Sequence, residues 1–256
     1  MPSEQSAPPA PQSPRATGAA SGNRGARGLY VTGTDTGIGK TVASTALLHA
    51  LRARWLRAVG IKPVASGCTR TAEGWRNDDA LALQAASDPR PCYADVNPVA
   101  LPEATAPQLA ARACGATVAL APLLEAHARL AASADVVVVE GVGGWLAPMG
   151  DGVEQAALVR ALALPVVLVV GLRLGCLSHA RLTLRAIEAD GCRCAGWIAS
   201  AVEPGFDHDG RYFGLLHEAL PVPCWGQLPH GLVSDPAALA RALRLPEDAL
   251  SKADAD

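Results

Sequence analysis

Nine consecutive residues, Gly33-Thr-Asp-Thr-Gly-Ile-Gly-Lys-Thr41, lie directly between a run that reads as a strand and one that reads as a helix. In such a turn the backbone N–H groups converge on phosphate oxygens, and the helix N-terminus adds a favourable dipole. The amides of Gly37, Ile38 and Gly39 would cradle the phosphates of a nucleotide, Lys40 would reach its β- and γ-phosphates, and the Thr41 hydroxyl would ligate Mg²⁺, with Val42 continuing the first helical turn. A strict phosphate loop has its first glycine six residues before the lysine, where this chain has Thr34; Gly33 stands one residue earlier, so the motif is a relaxed one. The competing reading is an ordinary glycine-rich turn. The use of lysine favours the phosphate loop, since the chain has 19 Arg but only three Lys, at 40, 62 and 252. A compact ammonium and a planar guanidinium are different tools, so Lys62, like Lys40, asks why arginine would not serve.

The elements that must position these groups alternate along the chain. Residues 28–32 read as a strand and about 40–56 as a helix, with a short strand near 58–62. Residues 63–78 read as a polar loop, 79–86 as a short helix, and the proline-rich stretch 88–108 as mostly loop. A helix over about 117–132 leads to Asp135-Val-Val-Val-Val-Glu140, a β-branched run suited to a parallel strand buried on both faces. Further strands are predicted at 165–170, 195–200 and 222–226, separated by helices over roughly 153–163, 178–190 and 208–219. This alternation predicts an α/β fold, a mostly parallel sheet with helices on both faces, in one domain over 28–256. Ligands should then bind at the carboxyl ends of the strands. Residues 1–27 are rich in Pro, Ala, Ser and Gly and read as a disordered tail.

Composition excludes several classes. The net charge is −2, which argues against a nucleic-acid binder working through a broad basic face. No run approaches ~18 uninterrupted apolar residues, so no membrane-spanning helix is predicted. Seven scattered cysteines without a Cys-x-x-Cys pair fit reduced thiols and a cytoplasmic location.

Four motifs occur in order: Gly33–Thr41, then Gly60-Ile-Lys-Pro-Val-Ala-Ser-Gly67, then Arg76-Asn-Asp-Asp-Ala-Leu-Ala-Leu83, then Val139-Glu-Gly-Val-Gly-Gly-Trp145. Together they closely resemble the dethiobiotin synthetases, P-loop enzymes of biotin biosynthesis. The resemblance continues through Leu174-Gly-Cys-Leu-Ser-His-Ala180 and Ala195-Gly-Trp-Ile-Ala199 and covers about residues 29–229. It implies ATP as co-substrate, Mg²⁺, and conversion of 7,8-diaminopelargonate and CO₂ to dethiobiotin through an N-carbamate and a carbamic-phosphoric anhydride. Lys62 matches the family lysine that holds the carbamate near the γ-phosphate, with Lys40 and Thr36 beside it. Ser66 and the amides of Gly143 and Gly144 match substrate contacts, and Thr41, Asp79 and Glu140 match the metal ligands. Hard oxygen donors suit Mg²⁺, and Glu140 ends an apolar run where an unpaired carboxylate would be costly. Asp79 could equally be a first-turn helix acid, and its neighbour Asp78 could be mistaken for it.

The family also implies a homodimer in which the substrate's carboxylate tail crosses the interface. There Gly175, Cys176 and Leu177, just before the helix expected at 178, would offer amides, and Tyr212 would reach the same carboxylate; on sequence it is equally a helix-surface aromatic. Ser200 and Gly226-Gln227-Leu228-Pro229 match positions that flank the base. Three residues depart from better-known members: Gly37 replaces a Glu, and Ser178 and Ser200 each replace an Asn. A serine lacks the paired donor and acceptor of an amide, so CTP or another triphosphate could replace ATP. The alternative function is a P-loop ATPase switch or assembly factor. Partition-type switches carry a second lysine five residues before the first, and this chain has Asp35 there.

Overall fold

The structure is a computed structural model that describes residues 27–54, 56–231 and 235–250. Strand β1 (Arg27–Gly33) runs into helix α1 (Lys40–Arg52), and β2 (Ala58–Ile61) follows. A string of short pieces comes next: β3 (Val64–Ala65), the hairpin of β4 (Thr69–Thr71) and β5 (Gly74–Arg76), α2 (Asp78–Ala86), α3 (Tyr93–Val96), β6 (Val99–Ala100) and α4 (Pro107–Cys114). Longer elements then alternate regularly. They are α5 (Leu120–Ala131), β7 (Val136–Glu140), α6 (Gln155–Leu162), β8 (Val166–Leu172) and α7 (Cys176–Ala189), then β9 (Cys194–Ala201), α8 (Arg211–Ala219), β10 (Cys224–Leu228) and α9 (Pro236–Arg241).

Six strands form one sheet in the order β10-β9-β8-β1-β7-β2, every neighbouring pair parallel. The reason lies in the strand sequences. Along β7, Val136 and Val138 pack into the layer beneath α1 and α2, and Val137 and Val139 into the layer on the opposite face with α5 and α6. All four are fully buried, and each such valine stabilises the fold by roughly 1.5–3 kcal/mol. Burial on both faces requires helices on both sides of the sheet. A third layer, with α7 and α8, covers β8 and β9 around Trp197.

The structure corrects several sequence expectations. Helix α1 stops at Arg52 rather than 56. The polar segment 63–78 contains the β4–β5 hairpin and β3, which pairs with β6. The stretch 88–108, expected to be mostly loop, contains α3 and β6 and ends at the first turn of α4, where Pro107 occupies the position that tolerates a missing N–H. Helix α7 begins at Cys176 and not at 178. Apart from Arg27, which opens β1, the expected disordered tail lies outside the described residues. All seven cysteines are free. No helix among the described residues is long and apolar enough to cross a membrane.

Candidate active site

Strand register builds the site. Ile61 pairs with Val139 and Val31 with Glu140, so Lys62 and Glu140 leave neighbouring strands side by side at their carboxyl ends. Beyond β1 the chain turns into α1 through the glycine-rich loop. Gly39, the N-cap of α1, has φ 86°, in the left-handed region that favours glycine, and a side chain there would collide with Ser200 Oγ. The N-terminus of α1 has no side-chain cap and no acid in its first turn. Its amides and dipole are therefore unopposed, as an anion site requires.

Lys62 is the hub. Its Nζ donates to Glu140 Oε1 at 2.6 Å, Asp79 Oδ2 at 3.0 Å and the Gly141 carbonyl at 3.2 Å. Thr41 Oγ1 donates to the same Glu140 Oε1 at 2.9 Å. Lys62 is 5 % exposed and Glu140 0 %. Burial by itself would drive the Lys62 ammonium toward neutrality, but Glu140 and Asp79 outweigh it and hold its pKa above the usual value. Burial opposes ionisation of Asp79 too; the charge of Lys62, with the Thr41 hydroxyl, wins and keeps its carboxyl below the ordinary range. Lys40 donates to the Asp35 carbonyl at 2.7 Å, and burial together with the charge of Lys62 pushes its pKa down to about 8.

These groups line a cavity of about 810 Å³. It brings together Thr36, Gly37, Gly39, Lys40, Thr41, Val42, Lys62, Ser66, Asp79, Glu140 and Gly143 from the expected set. Asp79 is in the first turn of α2 and bonded to Lys62, so the two readings of this residue both hold, whereas Asp78 is exposed. Other expected residues lie off the cavity wall. Ile38 is buried beneath the loop, where its side chain closes on Gly33 and Gly171. Gly144 accepts a bond from Gln155 at 2.6 Å. Ser200 is 5 % exposed at the end of β9, and Gly226 to Pro229 end the neighbouring β10. Gly226 has a reason apart from any ligand, because a side chain there would strike the Ala242 carbonyl.

Gly175 is the N-cap of α7 and Cys176 and Leu177 are its first two residues, none of them on the cavity wall of their own chain. Gly175 provides no side-chain cap, and the Cys176 N–H already donates to the Arg173 carbonyl at 3.1 Å. Tyr212 packs its ring on Phe206 at 4.7 Å, and its N–H donates to Asp207. Asp35, which stands where a switch would have its second lysine, pairs with Arg173 and accepts the Thr36 N–H.

Three contributors were not legible as site residues. Residues 104–107 form part of the cavity wall at the entry to α4. Asn77 caps α2 through Oδ1 and donates to the Ser66 carbonyl at 3.3 Å. Gln155, fully buried, accepts from Tyr30 and the Val142 N–H and donates to Gly144 and Trp145, so one amide holds the whole turn after Glu140. An asparagine preceding two acids signals an N-cap. No local pattern distinguishes a buried Gln from a solvated one.

The donors suit a magnesium ion. Glu140 Oε2 is buried without a hydrogen-bond partner beside the Thr41 hydroxyl and Asp79. No group of three or more His, Cys, Asp or Glu that could hold an ion occurs among the described residues. Two carboxylates and a hydroxyl form an oxygen set that phosphate and water would complete, which is how Mg²⁺ is commonly bound.

A parallel sheet, a glycine-rich loop into an uncapped helix, and acidic and basic groups at the adjoining strand ends define a P-loop nucleotide-dependent enzyme. A ParA family ATPase from Chlorobium tepidum TLS shares this fold, with a TM-score of 0.51 at 13% identity over 85% of this chain and 90% of that one. A family model described as an AAA domain matches residues 27–238. The ATP-dependent dethiobiotin synthetase BioD of Xanthomonas euvesicatoria pv. vesicatoria (strain 85-10) is 62% identical over 218 residues, 85% of this chain and 97% of that protein. The protein of the same name from Xylella fastidiosa (strain 9a5c) is 61% identical over 218 residues, 84% and 96% of the two chains. The chain belongs to the ATP-dependent dethiobiotin synthetase family and is a ligase of biotin biosynthesis.

Proposed function

We propose that the chain converts 7,8-diaminopelargonate, CO₂ and ATP to dethiobiotin, ADP and phosphate. The observation that carries this reading is the buried Lys62 ammonium between Glu140 and Asp79, beside the uncapped N-terminus of α1. One amine of the substrate adds to CO₂ and loses a proton, giving a carbamate. A carbamate oxygen attacks the γ-phosphorus and ADP leaves. The second amine then attacks the carbamoyl carbon, phosphate departs, and a five-membered ureido ring remains.

Each step needs charge held in place and water kept out. Lys62 binds the carbamate and neutralises it as it nears the γ-phosphate. Lys40 and the amides of Gly37 to Thr41 hold the phosphates, and Thr36 orients the γ-phosphate from the same loop. Thr41, Asp79 and Glu140 would hold Mg²⁺, which would supply further positive charge against the nucleotide phosphates. Ser66 hydrogen-bonds the carbamate or a diamine nitrogen, and the backbone amides at Gly143 and Gly144 approach substrate oxygen or phosphate. Ser200 and residues 226–229 flank the base, where the serine leaves room for CTP or another triphosphate. The tail carboxylate is held by Gly175, Cys176, Leu177 and Tyr212 of a second subunit. Their place outside their own chain's cavity, next to Leu174 at 77 % exposure, supports a substrate that spans a homodimer.

The test is phosphate release from ATP with bicarbonate, with and without the diamine, repeated with CTP. Release that depends on the diamine is expected. Turnover indifferent to the diamine would sink the proposal in favour of a nucleotide switch.

A further inference from the structure

Lys62 and Asp79 come from different elements, and one side chain links the scaffolds of both. The Tyr93 hydroxyl accepts the Asn77 N–H at 2.8 Å and donates to Asn97 Oδ1 at 3.2 Å. Asn77 is the N-cap of α2, two residues before Asp79, and its side chain also reaches the Ser66 carbonyl. Asn97, 4 % exposed, donates through Nδ2 to the Lys62 carbonyl at 2.8 Å and the Val99 carbonyl at 3.2 Å. The Lys62 N–H in turn donates to the Val96 carbonyl at 2.8 Å. The tyrosine ring is held from outside, with the Arg76 guanidinium 4.2 Å from its centroid. The hydroxyl thus uses a donor and an acceptor at once, and both of its partners are anchored to main chain that carries a site residue.

We propose that Tyr93 is a positioning residue: through Asn77 and Asn97 it sets the separation of Asp79 from Lys62, and so the geometry in which the carboxylate meets the metal–nucleotide complex. This rests on the site reading above. The physical case is one of tolerance. A displacement of about 1 Å in a reacting constellation can cost on the order of a hundredfold in rate, and near the site the start of α2 meets the Lys62 segment otherwise through the Asn77–Ser66 bond at 3.3 Å and through the Lys62–Asp79 ion pair at 3.0 Å, whose geometry is the one at stake.

Tyr93→Phe removes the hydroxyl and keeps the ring beneath Arg76. Diamine-dependent phosphate release should fall roughly tenfold in kcat, with the KM for diamine unchanged and the Mg²⁺ concentration for half-maximal rate raised. Calorimetry with a non-hydrolysable ATP analogue should show weaker binding in Mg²⁺ and wild-type binding in chelator. Asn97→Ala, which cuts the link on its other side, should give the same pattern. A Tyr93→Phe enzyme with a lower melting temperature but wild-type kcat, Mg²⁺ requirement and analogue affinity would overturn the proposal. Asp79→Asn separates the two levels. If it raises the Mg²⁺ requirement and Tyr93→Phe does not, the positioning role fails; if Asp79→Asn leaves the requirement unchanged, the metal assignment fails and the positioning role with it.

Discussion

Lys62 answers the question raised by a chain that uses arginine almost everywhere else. Its ammonium is within 3.0 Å of two carboxylates in a space that admits 5 % of its surface to solvent. A guanidinium is broader and planar and would have to displace either Glu140 or the Gly141 carbonyl to fit. The Lys62→Arg enzyme is therefore expected to lose about a hundredfold or more in diamine-dependent phosphate release. Its affinity for the ATP analogue in chelator should change far less than the rate, because the uncapped amides at the start of α1 and Lys40, and not Lys62, grip the phosphates. Steady-state kinetics and calorimetry on one preparation would check both, and full activity would remove Lys62 from the mechanism. At this scale the sequence was informative wherever a rare residue type marked a position, as with Lys40 and Lys62. Gln155 and Asn77 carry ordinary residue types, and only their hydrogen-bond partners reveal what they do.

Among the elements, long valine runs were legible because a strand buried on both faces must be apolar along its length, as β8 and the four valines of β7 before Glu140 are. The short pieces between β2 and α5 were not. The β4–β5 hairpin is largely solvent-exposed and pairs with itself, so no burial pattern betrays it. Helix α4 was hidden because prolines counted toward a loop, although proline at the first helical position starts a helix as readily as it ends one. Helix α5 carries a liability of its own. His127 faces the core, its Nε2 finds no partner, and burial pushes its pKa down to about 4. The unfolded chain takes up a proton below about pH 6.5, and the folded chain only near 4. Stability should thus fall as pH drops through that window, by on the order of 3 kcal/mol from this group. Urea unfolding from pH 7 to 4 should show the slope, and His127→Leu should flatten it.

For the whole molecule, the described fold opens at Arg27, the family match covers residues 27–238, and β1 pairs with β7 from Arg27 and with β8 from Tyr30. A chain lacking residues 1–26 is expected to keep the wild-type diamine-dependent rate and melting temperature; a severalfold loss in either would assign those residues a role in the enzyme.

The sequence by itself determined the phosphate loop, the parallel α/β plan and the family, because each is written in contiguous residues whose local chemistry suffices. Which carboxylate meets Lys62 was decided only by the sheet. Glu140 is 78 residues away in the chain and adjacent in space because β2 and β7 pair in register, whereas Asp79 is chosen over Asp78 by the face of α2 that turns inward. The same sheet order leaves Gly175, Cys176, Leu177 and Tyr212 off the cavity wall, since β8 and β9 lie on the other side of β1 from β7 and β2. Contacts between residues far apart in sequence depend on strand order and register, and these are properties of the packed whole that no local pattern encodes.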